Sequence, residues 1–228
     1  MLELEQVPTS PGIYAWYVSF HAGPQDWKTR PVGDEDSSVQ GFLRLLREYA
    51  SYYDPPPIEL KGSAAYGGAW DGSLELDRGM ADPESHTVGD RDDQHSKDHA
   101  ALADSVSSEK GRKILSEMLS RITPVFSAPL YIGVADNLRA RLLQHRKSYS
   151  KSMQWLRENP HHTERLRVDA KNFGQRAASR GISMEHLEAW VIDVSTEESS
   201  SDSDLTRAST QSAEWFLHRA FSPILGKR

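Results

Sequence analysis

The chain has 228 residues, is 37% hydrophobic and 26% charged, and carries a formal net charge of −6 with no cysteine. Its length fits one large domain or one domain with a substantial insertion, and the lack of cysteine excludes disulfide staples, zinc–thiolate knuckles and thiol nucleophiles. No run approaches 18 apolar residues, and MLELEQVPTSPG has neither the basic start nor the apolar centre of a secretion signal, so a cytoplasmic protein with no membrane partner is expected.

The first expected element is a strand over residues 11–20 (PGIYAWYVSF), an aromatic and β-branched run behind a Pro-Gly turn. A helix is expected over 38–53, where Phe42, Leu45, Leu46 and Tyr49 recur at helical spacing until the three prolines at 55–57. Residues 57–76 read as two short strands with glycine-rich turns. Residues 77–107 are dominated by Asp, Ser, His and Gly, a composition that buries too little apolar surface to offset ordering, so an acidic disordered segment is expected. His95 and His99 within it have the i, i+4 spacing of a metal pair, but no apolar face supports a helix there and a solvated loop is the better reading.

Ile114, Met118 and Ile122 recur every fourth residue and predict a helix over Lys110–Ile122. Residues 128–135 (APLYIGVA) read as a buried strand. Asp136 or Asn137 then caps a helix to about Tyr149, with Leu138 and Leu142 turned inward. Residues 152–181 are basic and helical in pieces, broken at Asn159-Pro160 and near Gly181. A third strand is expected over 186–195, an acidic serine loop over 196–206, and a last helix from about Thr210 to Phe221, closed by Pro223.

The charge is divided unevenly along the chain. Residues 1–126 carry 12 Lys/Arg against 21 Asp/Glu, whereas residues 136–180 carry 11 against 4, a local net of +7. Affinity for a polyanion follows local cationic density rather than the total, so this stretch reads either as a nucleic-acid contact or as a solvated helical surface rich in arginine. Lys147, Lys151, Arg157, Arg165, Arg167, Lys171, Arg176 and Arg180 are the candidates for tracking a phosphate backbone, with Tyr149, Trp155 and Phe173 among them to stack on bases or pack beneath helices.

Three separated pieces complete the pattern: Gly12-Ile13-Tyr14 on the first strand, Tyr131-Ile132-Gly133 on the second, and a following helix with Arg141 and His145. This arrangement resembles the GIY-YIG nuclease superfamily, in which an arginine lies ten residues after the YIG tyrosine, a histidine or tyrosine follows one helical turn later, and a glutamate on a later helix binds the metal. Arg141 and His145 stand at those spacings from Tyr131, and Glu214 on the last helix matches the glutamate. Two features depart from the family: 116 residues separate Tyr14 from Tyr131, and Gly226 stands where an asparagine often follows the glutamate.

The resemblance implies an α+β fold, a small central antiparallel sheet flanked by helices, with a large insertion between the first two motif strands. The chain is then a single domain over 1–228 carrying an insertion lobe at 21–126. It also implies a metal-dependent endonuclease, acting on DNA rather than RNA, in restriction, phage defence, mobile elements or repair. The residue types suit that chemistry. Glu214 is a hard oxygen ligand for one Mg²⁺ or Mn²⁺ ion, Arg141 offers a permanently charged fork to a phosphate, and His145 shares its helix face. A tyrosine ordinarily ionises near pH 10, so it needs a neighbour to act as a base. By family analogy one tyrosine takes the proton of water; Tyr14 is assigned that role, with Tyr131 orienting water or phosphate. Each residue has an ordinary structural reading, as a sheet aromatic, a surface arginine or a helix-terminal charge, and only all five together point to a site. The alternatives are a nucleic-acid-binding module with little or no catalysis, an RNase or single-strand nuclease, and a subunit acting as a homodimer or with a partner protein.

Overall fold

The computed structural model describes residues 4–27, 38–54, 58–64, 67–74, 101–195 and 203–226. The chain divides into two compact units, one formed by Met1–Ser19 with Arg121–Arg228 and the other by Phe20–Ser120.

The discontinuous unit is α+β. Its sheet has the strands β1 (Gly12–Val18), β4 (Tyr131–Ala135) and β5 (Leu187–Asp193), in the order β4-β1-β5 with both pairings antiparallel. The central strand alternates strictly: Gly12, Tyr14, Trp16 and Val18 are buried, while Ile13, Ala15 and Tyr17 are half-buried. A strand turns successive side chains to opposite faces, so Tyr14 and Trp16 share the face that receives the helices.

Trp16 stacks on Phe173 with ring centroids 4.7 Å apart. Phe173 opens α7 (Phe173–Ser179), which packs on α5 (Leu138–Glu158). α5 starts where the Asn137 side-chain oxygen accepts a hydrogen bond from the Ala140 amide at 2.9 Å, which satisfies one of the otherwise unpaired first-turn donors. It runs through Glu158, beyond the expected end at Tyr149, because no breaker intervenes before Asn159-Pro160. The short α6 (Thr163–Asp169) and then α7 follow, and α8 (Ser203–Phe221) lies against β4. α8 begins earlier than expected: residues 203–206 are helical rather than loop, and residues 196–202 lie outside the described residues.

The continuous unit has its own core of Phe20, Trp27, Phe42, Leu43, Leu46 and Val106. Phe20 lies in the segment after β1, and the others come from α1 (Pro24–Trp27), α2 (Ser38–Ser51) and the described part of α3 (101–107). A two-stranded antiparallel sheet, β2 (Ile58–Ser63) with β3 (Ala69–Leu74), answers the expectation for residues 57–76. The expectation of disorder over 77–107 is corrected at its end: residues 101–107 are helical, with Leu102 and Val106 in the core. Composition averaged over the segment hides two apolar residues four apart. The remainder, including His95 and His99, lies outside the described residues.

α4 (Glu109–Phe126) runs across the boundary between the units. The repeat of Ile114, Met118 and Ile122 marks this helix as expected, yet all three are exposed, with Val125 and Phe126. Among the described residues no helix is long and apolar enough to cross a membrane.

Candidate active site

The register of β1 against β4 places Tyr14 opposite Gly133 and Trp16 opposite Tyr131. Their ring centroids leave Tyr14 and Tyr131 6.0 Å apart in a stacked arrangement. A Cβ on residue 133 would lie 2.5 Å from the Tyr14 Oη, so the glycine of the Tyr-Ile-Gly run makes room for the facing phenol. That close approach is the physical content of the motif in this chain.

α5 adds the next group. Leu138 and Leu142 are fully buried, and the same helical stripe carries His145 beneath the sheet, only 4% exposed. His145 Nε2 and Tyr14 Oη share a hydrogen bond of 2.8 Å. Around this pair Tyr131, Trp16 and Phe173 pack edge-on against the imidazole at 5.5–6.4 Å.

Burial sets the protonation of both partners. Tyr14 is pushed well above the ordinary tyrosine range, first by desolvation, then by Tyr131, with Arg141 acting in the opposite direction and Glu214 raising it further. His145 is lowered to about 4, by desolvation and then by the Arg141 guanidinium. The pair at neutral pH is therefore a phenol and an uncharged imidazole.

Arg141 is exposed one turn before His145, and its Nη1 donates to Gln144 Oε1 at 3.0 Å. Its charge reaches both Tyr14 and His145. Glu214 comes from α8, with its side chain 29% exposed, and its carboxylate acts on Tyr14 as well. Tyr14, Tyr131 and His145 thus touch one another beside the β1–β4 pair, and the charges of Arg141 and Glu214 act on Tyr14.

His218 also belongs to this cluster and went unnoticed in the sequence. It lies one turn after Glu214, with Nε2 3.8 Å from Glu214 Oε1, and its ring sits 6.5 Å from that of Tyr131. The only signal was its i, i+4 spacing from Glu214, the same spacing that singles out Arg141 and His145.

The basic candidates separate into two sets. Lys147, Lys151, Arg157 and Lys171 are exposed. Arg165 pairs with Asp169 within α6, and Arg167 Nε donates to Ser179 O at 3.3 Å. Arg180 sits half-buried at the end of α7. Arg176 is structural: its Nη1 donates to Leu225 O at 2.7 Å and Gly226 O at 2.6 Å, and its Nε to Ala170 O. Phe173 and Tyr149 pack in the interior rather than offering a stacking face, whereas Trp155 is at the surface.

No protein-family model, curated protein or solved structure matches this chain. A buried phenol bonded to a neutral imidazole can pass a proton inward. A nearby guanidinium can hold an anion, and a carboxylate at the rim can hold a cation. Among the described residues no group of three His, Cys, Asp or Glu side chains is placed to enclose a metal. A single rim carboxylate fits a hard ion that keeps most of its waters and takes the remaining ligands from a phosphate, as Mg²⁺ and Mn²⁺ do.

Proposed function

We propose that the chain is a metal-dependent endonuclease of the GIY-YIG type, hydrolysing phosphodiester bonds with DNA as its first substrate. The reading rests on one observation: Tyr14, Tyr131 and His145, far apart in the chain, touch around the Tyr14–His145 hydrogen bond, and the charges of Arg141 and Glu214 both act on Tyr14. The order β4-β1-β5 supports it by holding the two motif tyrosines on neighbouring strands. The exposed lysines and Arg157 beyond the cluster suit a phosphate backbone.

In this mechanism Arg141 binds a non-bridging oxygen of the scissile phosphate with its charged fork. Tyr14 begins as a phenol, because burial holds it protonated. It therefore acts as a relay rather than as a ready-made phenolate. The attacking water gives a proton to Tyr14 Oη as Tyr14 gives its own to His145 Nε2, the ring being taken as the tautomer protonated on Nδ1; burial and Arg141 disfavour the resulting imidazolium, so it passes the proton on quickly. The water oxygen bonds to phosphorus, the bond to the leaving oxygen breaks, and that oxygen takes a proton from solvent. Tyr131, stacked beside Tyr14, orients the water or the phosphate. Glu214 would hold one Mg²⁺ or Mn²⁺ ion, which when bound neutralises the phosphate and the leaving oxygen.

The test offers supercoiled plasmid, single-stranded DNA, duplex RNA and single-stranded RNA in parallel, each with Mg²⁺ or Mn²⁺. Nicking of the plasmid is expected from the wild-type chain, and no product from a folded Glu214→Ala variant. Cleavage retained in Glu214→Ala would remove the site, and a mobility shift without products would make the chain a binding module.

A further inference from the structure

We infer that His218 is the positioning residue for Glu214: its hydrogen bond to the β4 backbone sets where the metal-binding carboxylate stands relative to the two tyrosines. The inference rests on the nuclease reading above. His218 Nε2 is 2.9 Å from Ile132 O. A carbonyl oxygen only accepts, so Nε2 carries the proton and is not a lone pair open to a metal. The contact reaches the middle residue of the Tyr131-Ile132-Gly133 run and joins α8 to the strand that carries Tyr131.

The turn after α8 is held against β4. Ser222 N donates to His218 O at 2.9 Å, and Leu225 N donates to Leu130 O at 2.7 Å, so the turn after α8 folds back onto β4. The Arg176 guanidinium holds that turn through Leu225 O and Gly226 O. A Cβ on residue 226 would stand 3.0 Å from His218 Cε1 and 2.9 Å from Pro223 O. The place at 226 is therefore closed to a side chain while His218 sits where it does.

The ring is thus confined between a strand backbone and a clamped turn, and Glu214 lies one helical turn away with Oε1 3.8 Å from Nε2. That separation exceeds a hydrogen bond. His218 acts on Glu214 by fixing the last turns of α8 and by placing a polar N–H beside the carboxylate. Groups that orient a ligating side chain commonly change metal affinity by about 10–100-fold when removed.

The experiment titrates Mn²⁺ alone into the full chain by calorimetry, and measures the Mn²⁺ concentration for half-maximal plasmid nicking. Wild type, His218→Ala, His218→Gln and Gly226→Ala are compared, with thermal unfolding to confirm that each is folded. Glutamine places its amide nitrogen near the position of Nε2 and keeps the donor. His218→Ala should weaken Mn²⁺ binding and raise the half-maximal Mn²⁺ about 10-fold or more, with KM for plasmid within about 2-fold. His218→Gln should recover most of the loss. Unchanged Mn²⁺ dependence in a folded His218→Ala, with active wild type, overturns the inference and leaves the nuclease reading standing. Failure of His218→Gln to recover overturns it too, since the imidazole rather than the Ile132 contact then matters. Wild type that neither nicks nor binds Mn²⁺ defeats the nuclease reading, and this inference with it. If His218→Ala does not fold, His218→Gln and Gly226→Ala carry the test: the first should resemble wild type, and the second, by pressing on the ring, should raise the Mn²⁺ requirement.

Discussion

The helix that brings Arg141 and His145 to the site is buried along a whole stripe, Leu138, Leu142, His145 and Tyr149, whereas α8, which brings Glu214 and His218, has no fully buried side chain among those described. Its outer side shows Leu205, Trp215 and Phe216, the tryptophan 70% exposed. α5 is capped by Asn137 and packed on α7; α8 leans on β4 through the His218–Ile132 contact and the turn that follows. The difference teaches a division of labour. The Tyr14–His145 pair sits where burial controls protonation, and the Glu214 carboxylate is partly exposed; in the proposed nuclease the first handles the proton and the second meets the cation. Elements with few buried apolar contacts open most readily, which makes α8 the softer half of the site.

The largest expected effect tests the buried half. Tyr14→Phe removes the relay oxygen while keeping the ring, and kcat for plasmid nicking should fall about 10²–10⁴-fold. A Tyr14→Phe enzyme with wild-type kcat would take the proton path away from this pair.

The next prediction sets the two helices against each other. Leu142→Ala should cost about 2–5 kcal/mol of unfolding free energy, because its side chain is fully buried. Leu217→Ala on α8, which is only half-buried, should cost about 1 kcal/mol. Equal losses in urea titrations would erase the contrast.

A third effect is expected in the pH dependence of stability. His145 is lowered from 6.5 to about 4 in the folded chain, so the unfolded chain takes up the proton first as pH falls. The contribution is complete above pH 6.5 and is lost progressively down to about pH 4, up to about 3 kcal/mol. Urea midpoints for wild type should fall over this window, and those of His145→Gln should fall less. Parallel curves would show that burial of His145 does not govern acid stability.

The smallest effect concerns the start of α5. Asn137→Ala removes the cap seen at Ala140 and should cost about 0.5–2 kcal/mol. Because Arg141 and His145 lie within two turns of that cap, nicking should weaken in step with stability; a loss of stability with full activity would show that α5 is held by its buried stripe alone.

Some of this was readable along the chain. β1, β4 and β5 announce themselves by local composition, and the inward Leu138 and Leu142 follow from spacing; a cap at Asp136 or Asn137 was legible, and the structure decided for Asn137. The spacing of Tyr131, Arg141 and His145 resembles the GIY-YIG pattern, and that resemblance marks them as candidates before any fold is known. Other features were misleading for definable reasons. The serine-rich start of α8 looks like loop, because serine and aspartate favour turns when no packing opposes them. Helical periodicity located α4 but not the exposure of Ile114, Met118 and Ile122, since a period states that a face exists and not what meets it.

The sequence by itself determined most of the elements and the division of charge, because propensity, period and capping act over a few neighbouring positions, while the candidate residues came from a resemblance in motif spacing. Only the tertiary structure decided that Tyr14 meets His145 across 131 positions, that Arg176 holds the last turn instead of facing solvent, and that His218 reaches Ile132. Those contacts join residues far apart in the chain, and burial, which fixes the protonation of Tyr14 and His145, exists only once the sheet and its helices have closed around them.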